Sequence, residues 1–231
     1  MARGAYLLNL GVTPYLEALE LQRSLAQAVL QGTIPDTVVL LEHPPVVTLG
    51  RRAEEDELHL PDDADVELVE TDRGGKSTYH APGQLVCYPI FDLTRHGQDV
   101  KKYCRDLEQA LIKTLAPFGL EAQTIEGLTG LWLTPPPRKI ASIGIHIHKW
   151  VTTHGYALNV DLDPAPFTEW ITACGLEGAA FTTMARELGR PVSVDEVRIG
   201  AAAALEQVFG LTFEKPPAEA GLHHAELAAS R

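Results

Sequence analysis

The chain has 231 residues, 45% hydrophobic and 22% charged, enough for one large domain or two small ones with a real core. Its formal net charge of −12 argues against general nucleic-acid binding, which needs a basic face. No apolar run approaches the roughly 20 residues of a membrane span, and MARGAYLLNLG at the start is too short and too soon interrupted for a signal peptide, so the expected location is cytoplasmic.

AYLLNL (5–10) predicts a strand. Thr13 and Pro14 predict a helix start, with threonine as N-cap and proline at the first helical position. Ala18, Leu21, Leu25 and Val29 share one face of that helix and Gly32 is its expected stop. TVVLLE (37–42) reads as a buried strand and HPPVVTLG (43–50) as an extended segment turning at Pro44-Pro45. The charged stretch 51–65 reads as loop, VELVET (66–71) as a strand entering the next motif, and QLVCYPIF (84–91) as another strand. Residues 99–118 predict the clearest helix, with Val100, Tyr103, Cys104, Leu107, Leu111 and Leu115 in one apolar stripe. KIASIGIHIHKW (139–150) alternates with period two: Ile143, Ile145 and Ile147 on one face, Ser142, Gly144, His146 and His148 on the other. With THGYALNV (153–160) it predicts a hairpin. Residues 166–172 and 181–188 predict short helices, and 193–210 a helix opened by Ser193. There is no internal repeat or linker, so residues 1–213 are expected to form one domain, with the Ala-, Glu- and Pro-rich stretch 214–231 as a mobile tail. Strands mixed irregularly with helices predict an α+β fold.

RGGKSTYH (73–80) contains GGKST, the ending of a phosphate-binding loop, but the spacing fails. Five residues before Gly75 stands Glu70 instead of glycine, Glu70 and Asp72 put negative charge where a phosphate would lie, and Pro82-Gly83 follow as a turn instead of a helix start. The three cysteines form no CxxC pair, and an odd number is no disulfide framework. Cys104 sits on an apolar helix stripe and Cys87 among apolar strand residues, both core-like settings. Cys174, in ITACGLEG (171–178), has a glycine beside it that leaves backbone and sulfur accessible. On the residues alone a structural role for it stands equally open. A nearby base would raise its thiolate fraction, and Lys139, Lys76, His80, His146, His148 and His154 are candidates. His146 and His148 on one strand face could bind a metal together with Cys174 or His154, but two histidines alone do not make a site, and no metal or other cofactor is expected.

Three segments together resemble the lipoyl(octanoyl) transferase family: RGGKSTYHAPGQLVCYPIFDL (73–93), RKIASIGIHIHKWVTTHGYALNV (138–160) and DPAPFTEWITACG (163–175). The likeness extends more weakly over residues 5–213. It implies a mixed β-sheet with helices, the catalytic fold of the biotin/lipoate protein ligases. It also implies transfer of an octanoyl group from octanoyl-acyl carrier protein to a lysine of lipoyl domains, those of 2-oxoacid dehydrogenase E2 subunits and the glycine cleavage H protein. In that reading Cys174 is the nucleophile and Lys139 activates it. The substrate-contact segments are Arg73, Gly74, Gly75, Lys76, Ser77, Thr78, Tyr79 and His80; Ser142, Ile143 and Gly144; and Gly155, Tyr156 and Ala157. Two positions depart from the family: Ala81 stands where glycine is usual, and His146 and His148 stand where basic residues are common. Burial and a basic neighbour would favour a neutral Lys139 amine able to act as base. Arg51, Arg52, Arg73, Arg138, Lys139 and Lys149 are expected to form a basic patch for the acidic carrier. Three rivals remain: an ATP-dependent lipoate or biotin ligase, which needs no nucleophilic cysteine; a non-catalytic lipoyl-domain-binding protein; and a cysteine hydrolase with a Cys174–His pair, which would release the free acid.

Overall fold

QLVCYPI is buried at every position because both faces of its strand are covered. In a computed structural model, which describes residues 2–172 and 180–217, this segment is β6 (Gln84–Ile90). Leu85 and Cys87 pack into one hydrophobic cluster, Val86, Tyr88 and Ile90 into another. β2 (Thr37–Glu42) divides the same way, Val38 and Leu40 against Val39 and Leu41. A strand buried on both faces loses polar alternation and reads as a continuous apolar run.

The first cluster takes in helices α2 (Val100–Leu115) and α5 (Val194–Phe209), the second α1 (Tyr15–Gln31). Between them lies a mixed sheet. Its strands are β1 (Arg3–Val12), β2, β6, β7 (Gln123–Ile125), β8 (Leu128–Leu133), β9 (Arg138–His148), β10 (Val151–Asn159), β11 (Ala180–Phe181) and β12 (Leu211–Glu214). Among the described residues the order is β12-β1-β2-β6-β10-β9-β8-β7, with β11 added on β9. β1 pairs parallel with β12 and β2, and β2-β6-β10-β9-β8-β7 are antiparallel. A second sheet, β4-β3-β5, is built from β3 (Val46–Leu49), β4 (Glu67–Glu70) and β5 (Ser77–His80). α3 (Pro166–Glu169) and α4 (Met184–Leu188) are the remaining α-helices among the described residues. The α+β class and the mixed sheet expected from the sequence are both present.

Several local signals act as read. Ser193 caps α5 by accepting from the Glu196 amide at 3.1 Å, and Gly32 ends α1. Thr13 does otherwise. α1 begins at Tyr15 with Pro14 at the cap position, and the Thr13 hydroxyl donates backwards to Gly11 O at 3.3 Å. Strands β5, β7, β8, β11 and β12 were not legible, and the helix expected over 181–188 starts only at Met184, with Phe181 in β11. Gly127 and Gly130 interrupt the alternation in β7–β8, and β11 and β12 are too short for a period. No described helix is long and apolar enough to cross a membrane.

Candidate active site

The loop 73–76 leaves β4 and lies across the middle of β9. Its anchors are internal. Arg73 is buried, and its guanidinium donates to Thr48 O (2.7 Å), Thr48 Oγ1 (2.7 Å) and Lys76 O (2.8 Å). The amide of Gly74 donates to Ile145 O at 2.9 Å, and Arg51 and Arg52 amides donate to Arg73 O and Gly75 O, both 3.1 Å. Gly75 sits at φ 92°, where a side chain would be strained. Asp72, before the loop, accepts from His154 Nε2 at 2.8 Å and lies 3.7 Å from His146. The His154 hydrogen bond holds the Asp72 carboxyl well below the usual range, while burial lowers His154.

On β9 and β10 the register places Gly144 opposite Gly155, Ile143 opposite Tyr156 and Ser142 opposite Ala157. Six expected site residues thus form one two-strand patch. Together with β5, the loop and α1 they enclose a cavity of about 460 Å³, within the span typical of small-molecule sites (roughly 300–1,000 Å³). Arg73, Gly74, Gly75, Lys76, Ser77, Thr78, His80 and Lys139 line it too, as do Tyr15, Val86, Tyr88 and His154, which sequence reading did not assign to substrate. Tyr79 is not brought there. It stands edge-on to Phe167 and Trp170 in a separate apolar cluster, since neighbouring strand residues face opposite ways.

Strict alternation would set Lys139 with Ile143, away from Ser142. A slip in the β8–β9 register moves it: Leu131 faces Ala141, but Trp132 already faces Lys139. The extra residue lets Ile140 and Ala141 both enter the helix-side core, and Lys139 and Ser142 then share the cavity. Lys139 is 2% exposed, with Nζ 5.5 Å from the Trp132 ring centre. β11 adds to the same place: Phe181 pairs with Lys139, and the Thr182 amide donates to Lys139 O at 3.0 Å.

The charges divide differently from the expected patch. Arg73 and Lys139 are buried, Arg138 is bidentate on Glu187 (2.8 Å each), and Lys76 binds Glu57 and Glu54; Arg51, Arg52 and Lys149 remain exposed. Burial pushes the Cys87 and Cys104 thiols up, which disfavours thiolate at either. Cys104 is half-buried on the cavity wall instead of in the core. Cys174 lies outside the described residues. Among the described residues no group of three or more His, Cys, Asp or Glu is placed to hold a metal ion.

Behind the cavity His43 is fully buried. Thr13 O can only accept, so His43 Nδ1 carries the proton it shares at 2.7 Å, and Nε2 accepts from Tyr88 Oη at 2.7 Å. Burial lowers its pKa to about 4. Between pH 6.5 and 4 the unfolded chain binds a proton there that the folded one does not, so stability falls as pH drops through that window. Urea unfolding at pH 7 and pH 5 should give a difference smaller by about 2 kcal/mol in His43→Gln than in the parent. Equal differences in the two proteins would show that His43 is not the group responsible.

The model for the lipoyl protein ligase A/B catalytic domain matches residues 14–206. An octanoyltransferase of Gloeobacter violaceus is 46% identical over 217 residues, 94% of this chain and 95% of that protein. One of Mycobacterium tuberculosis is 49% identical over 198 residues, 85% and 84% of the two chains. Among solved structures, the bi-partite lipoate protein ligase of Thermoplasma acidophilum superimposes with TM-score 0.72 at 17% identity, covering 99% of this chain and 93% of that one. A lipoate-protein ligase A bound with ATP gives 0.70 at 17%, covering 100% and 95%. The fold is therefore that of the lipoate and biotin protein ligases. Within it, the chain belongs to the octanoyltransferase family and is an acyltransferase.

Proposed function

We propose that the protein moves an octanoyl group from octanoyl-acyl carrier protein to a lysine of lipoyl domains, in the cytoplasm, through a thioester on Cys174 with Lys139 as the base. The acceptors in this reading are lipoyl domains of 2-oxoacid dehydrogenase E2 subunits and the glycine cleavage H protein, and the catalytic unit is residues 1–213. The observation that carries it is a lysine amine buried on the wall of the cavity, on the strand that β11 joins.

In the first half-reaction Lys139 takes the Cys174 thiol proton and the thiolate attacks the carrier thioester. The carrier thiolate leaves and recovers the proton from the Lys139 ammonium. In the second, the acceptor amine attacks the Cys174 thioester, Lys139 takes the amine proton, and the Cys174 thiolate departs as the amide forms. One thioester is exchanged for another before an amide is made, so no nucleotide is consumed. The acyl tail fits the apolar part of the cavity, against Tyr15, Val86, Tyr88 and Ala157.

Intact-mass measurement after incubation with octanoyl-acyl carrier protein, without ATP, tests this. The expected result is a gain of one octanoyl group, abolished in Cys174→Ser and kept in Cys87→Ser and Cys104→Ser. An adduct surviving Cys174→Ser moves the nucleophile elsewhere. Transfer only with ATP favours the ligase, and no transfer under any condition favours a binding protein.

A further inference from the structure

A chain of buried amides runs from β11 to the cavity. Thr182 O can only accept, so the Asn159 group 3.1 Å from it is Nδ2, a donor. Asn159 Oδ1 then faces Gln84, which must present Nε2, at 2.9 Å. The Tyr79 carbonyl, 3.4 Å from the same Gln84 nitrogen, independently requires a donor there. Gln84 Oε1 is thereby left for His80, whose Nδ1 stands 2.6 Å away and must carry a proton. Gln84 is 1% exposed, Asn159 and Thr182 3% each and His80 6%, so water cannot readily substitute for any link. A backbone carbonyl at one end thus fixes every hydrogen down to the other. With Nδ1 spent, Nε2 is the ring nitrogen of His80 left for the cavity.

We propose that this relay holds His80 as the Nδ1–H tautomer, so that its Nε2 lone pair accepts a hydrogen bond from the N–H of the acceptor lysine amine and aims that amine's own lone pair at the acyl carbon. This rests on the transfer reading above and deepens it. His80 touches the substrate; Gln84 and Asn159 are positioning residues. Lys139 remains the proton acceptor, while His80 orients. Groups around the imidazole keep it neutral. Tyr15 of α1 stacks on it at 6.1 Å and His43 lies edge-on at 5.6 Å. Burial, His43, Arg73 and His154 all disfavour its charged form, against the single opposing hydrogen bond that it donates to Gln84.

The two half-reactions are measured separately: octanoyl-enzyme formation from octanoyl-acyl carrier protein, and discharge of the isolated octanoyl-enzyme to a lipoyl domain. His80→Ala should slow discharge about 10²-fold more than it slows formation, the scale of loss that a misplaced reacting group brings. Gln84→Glu places a carboxylate on Nδ1–H and favours imidazolium, turning Nε2 into a donor. Discharge should fall at neutral pH and recover as pH rises, so its acid limb moves upward. Long-range nitrogen-15 NMR of the unloaded protein should show one protonated and one bare ring nitrogen at His80, and two protonated ones in Gln84→Glu. Formation and discharge falling together with an unmoved pH profile, or a bare Nδ1 in the parent, overturns the proposal. Failure of the parent to form any octanoyl-enzyme overturns the transfer reading instead, and the NMR result still decides the tautomer.

Discussion

Lys139→Arg is expected to lower turnover roughly 10²–10⁴-fold, the range that general-base catalysis supplies, while the protein stays folded. The guanidinium keeps the positive charge and can remain over Trp132, whose ring centre lies 5.5 Å from Nζ. It cannot act as a base near neutral pH because it stays protonated. The substitution therefore separates proton transfer from charge and stacking. Single-turnover transfer from octanoyl-acyl carrier protein, alongside a thermal unfolding midpoint, checks it. Near-normal turnover would mean that Lys139 works through its charge alone, and His80 or His154 would become the leading base.

Gly155→Ala should weaken the fold strongly. A Cβ on Gly155 would lie 2.2 Å from Cys87 O and 2.6 Å from Pro89 Cδ, both on β6. Neither atom is the free end of a flexible side chain, so β10 must separate from β6 in the middle of the sheet. Overpacking of this kind costs about 1–3 kcal/mol, sometimes more, which for a chain of this size lowers the unfolding midpoint by about 2–12 °C. Its partner across the hairpin, Gly144, meets Gly74 O at 3.0 Å instead. Gly144→Ala should accordingly unfold near the parent temperature but push the loop 73–76 outward, raising KM. If Gly155→Ala melts with the parent, β10 has found room that the present packing does not contain.

Local chemistry was legible in the chain. The Ser193 cap, the glycine that ends α1, the pairing of the β9 and β10 segments as a hairpin, and Tyr103, Leu107, Leu111 and Leu115 of the α2 stripe follow from patterns within a few residues, whereas Val100 of that stripe is exposed. The spacing around GGKST likewise excluded a phosphate loop without any fold. The resemblance to octanoyltransferases, read from three motifs, holds across the chain.

What those motif residues do was decided in three dimensions. Arg73 read as a substrate contact or docking charge; it lines the cavity, and its guanidinium also donates to Thr48 and to carbonyls of its own loop, partners 25 residues away or around a turn. Tyr79 shares the motif but faces Phe167 and Trp170, because a strand shows alternate residues to opposite sides. Lys139 reaches the side of Ser142 only through a register slip imposed by β8, a strand whose existence the sequence did not reveal. The His80 tautomer depends on Thr182, 102 positions on, because hydrogen-bond direction passes through Gln84 and Asn159. Periodicity and caps are set by the backbone of one segment. Register, facing and proton placement are set by whichever segment packs alongside, and that choice belongs to the whole chain.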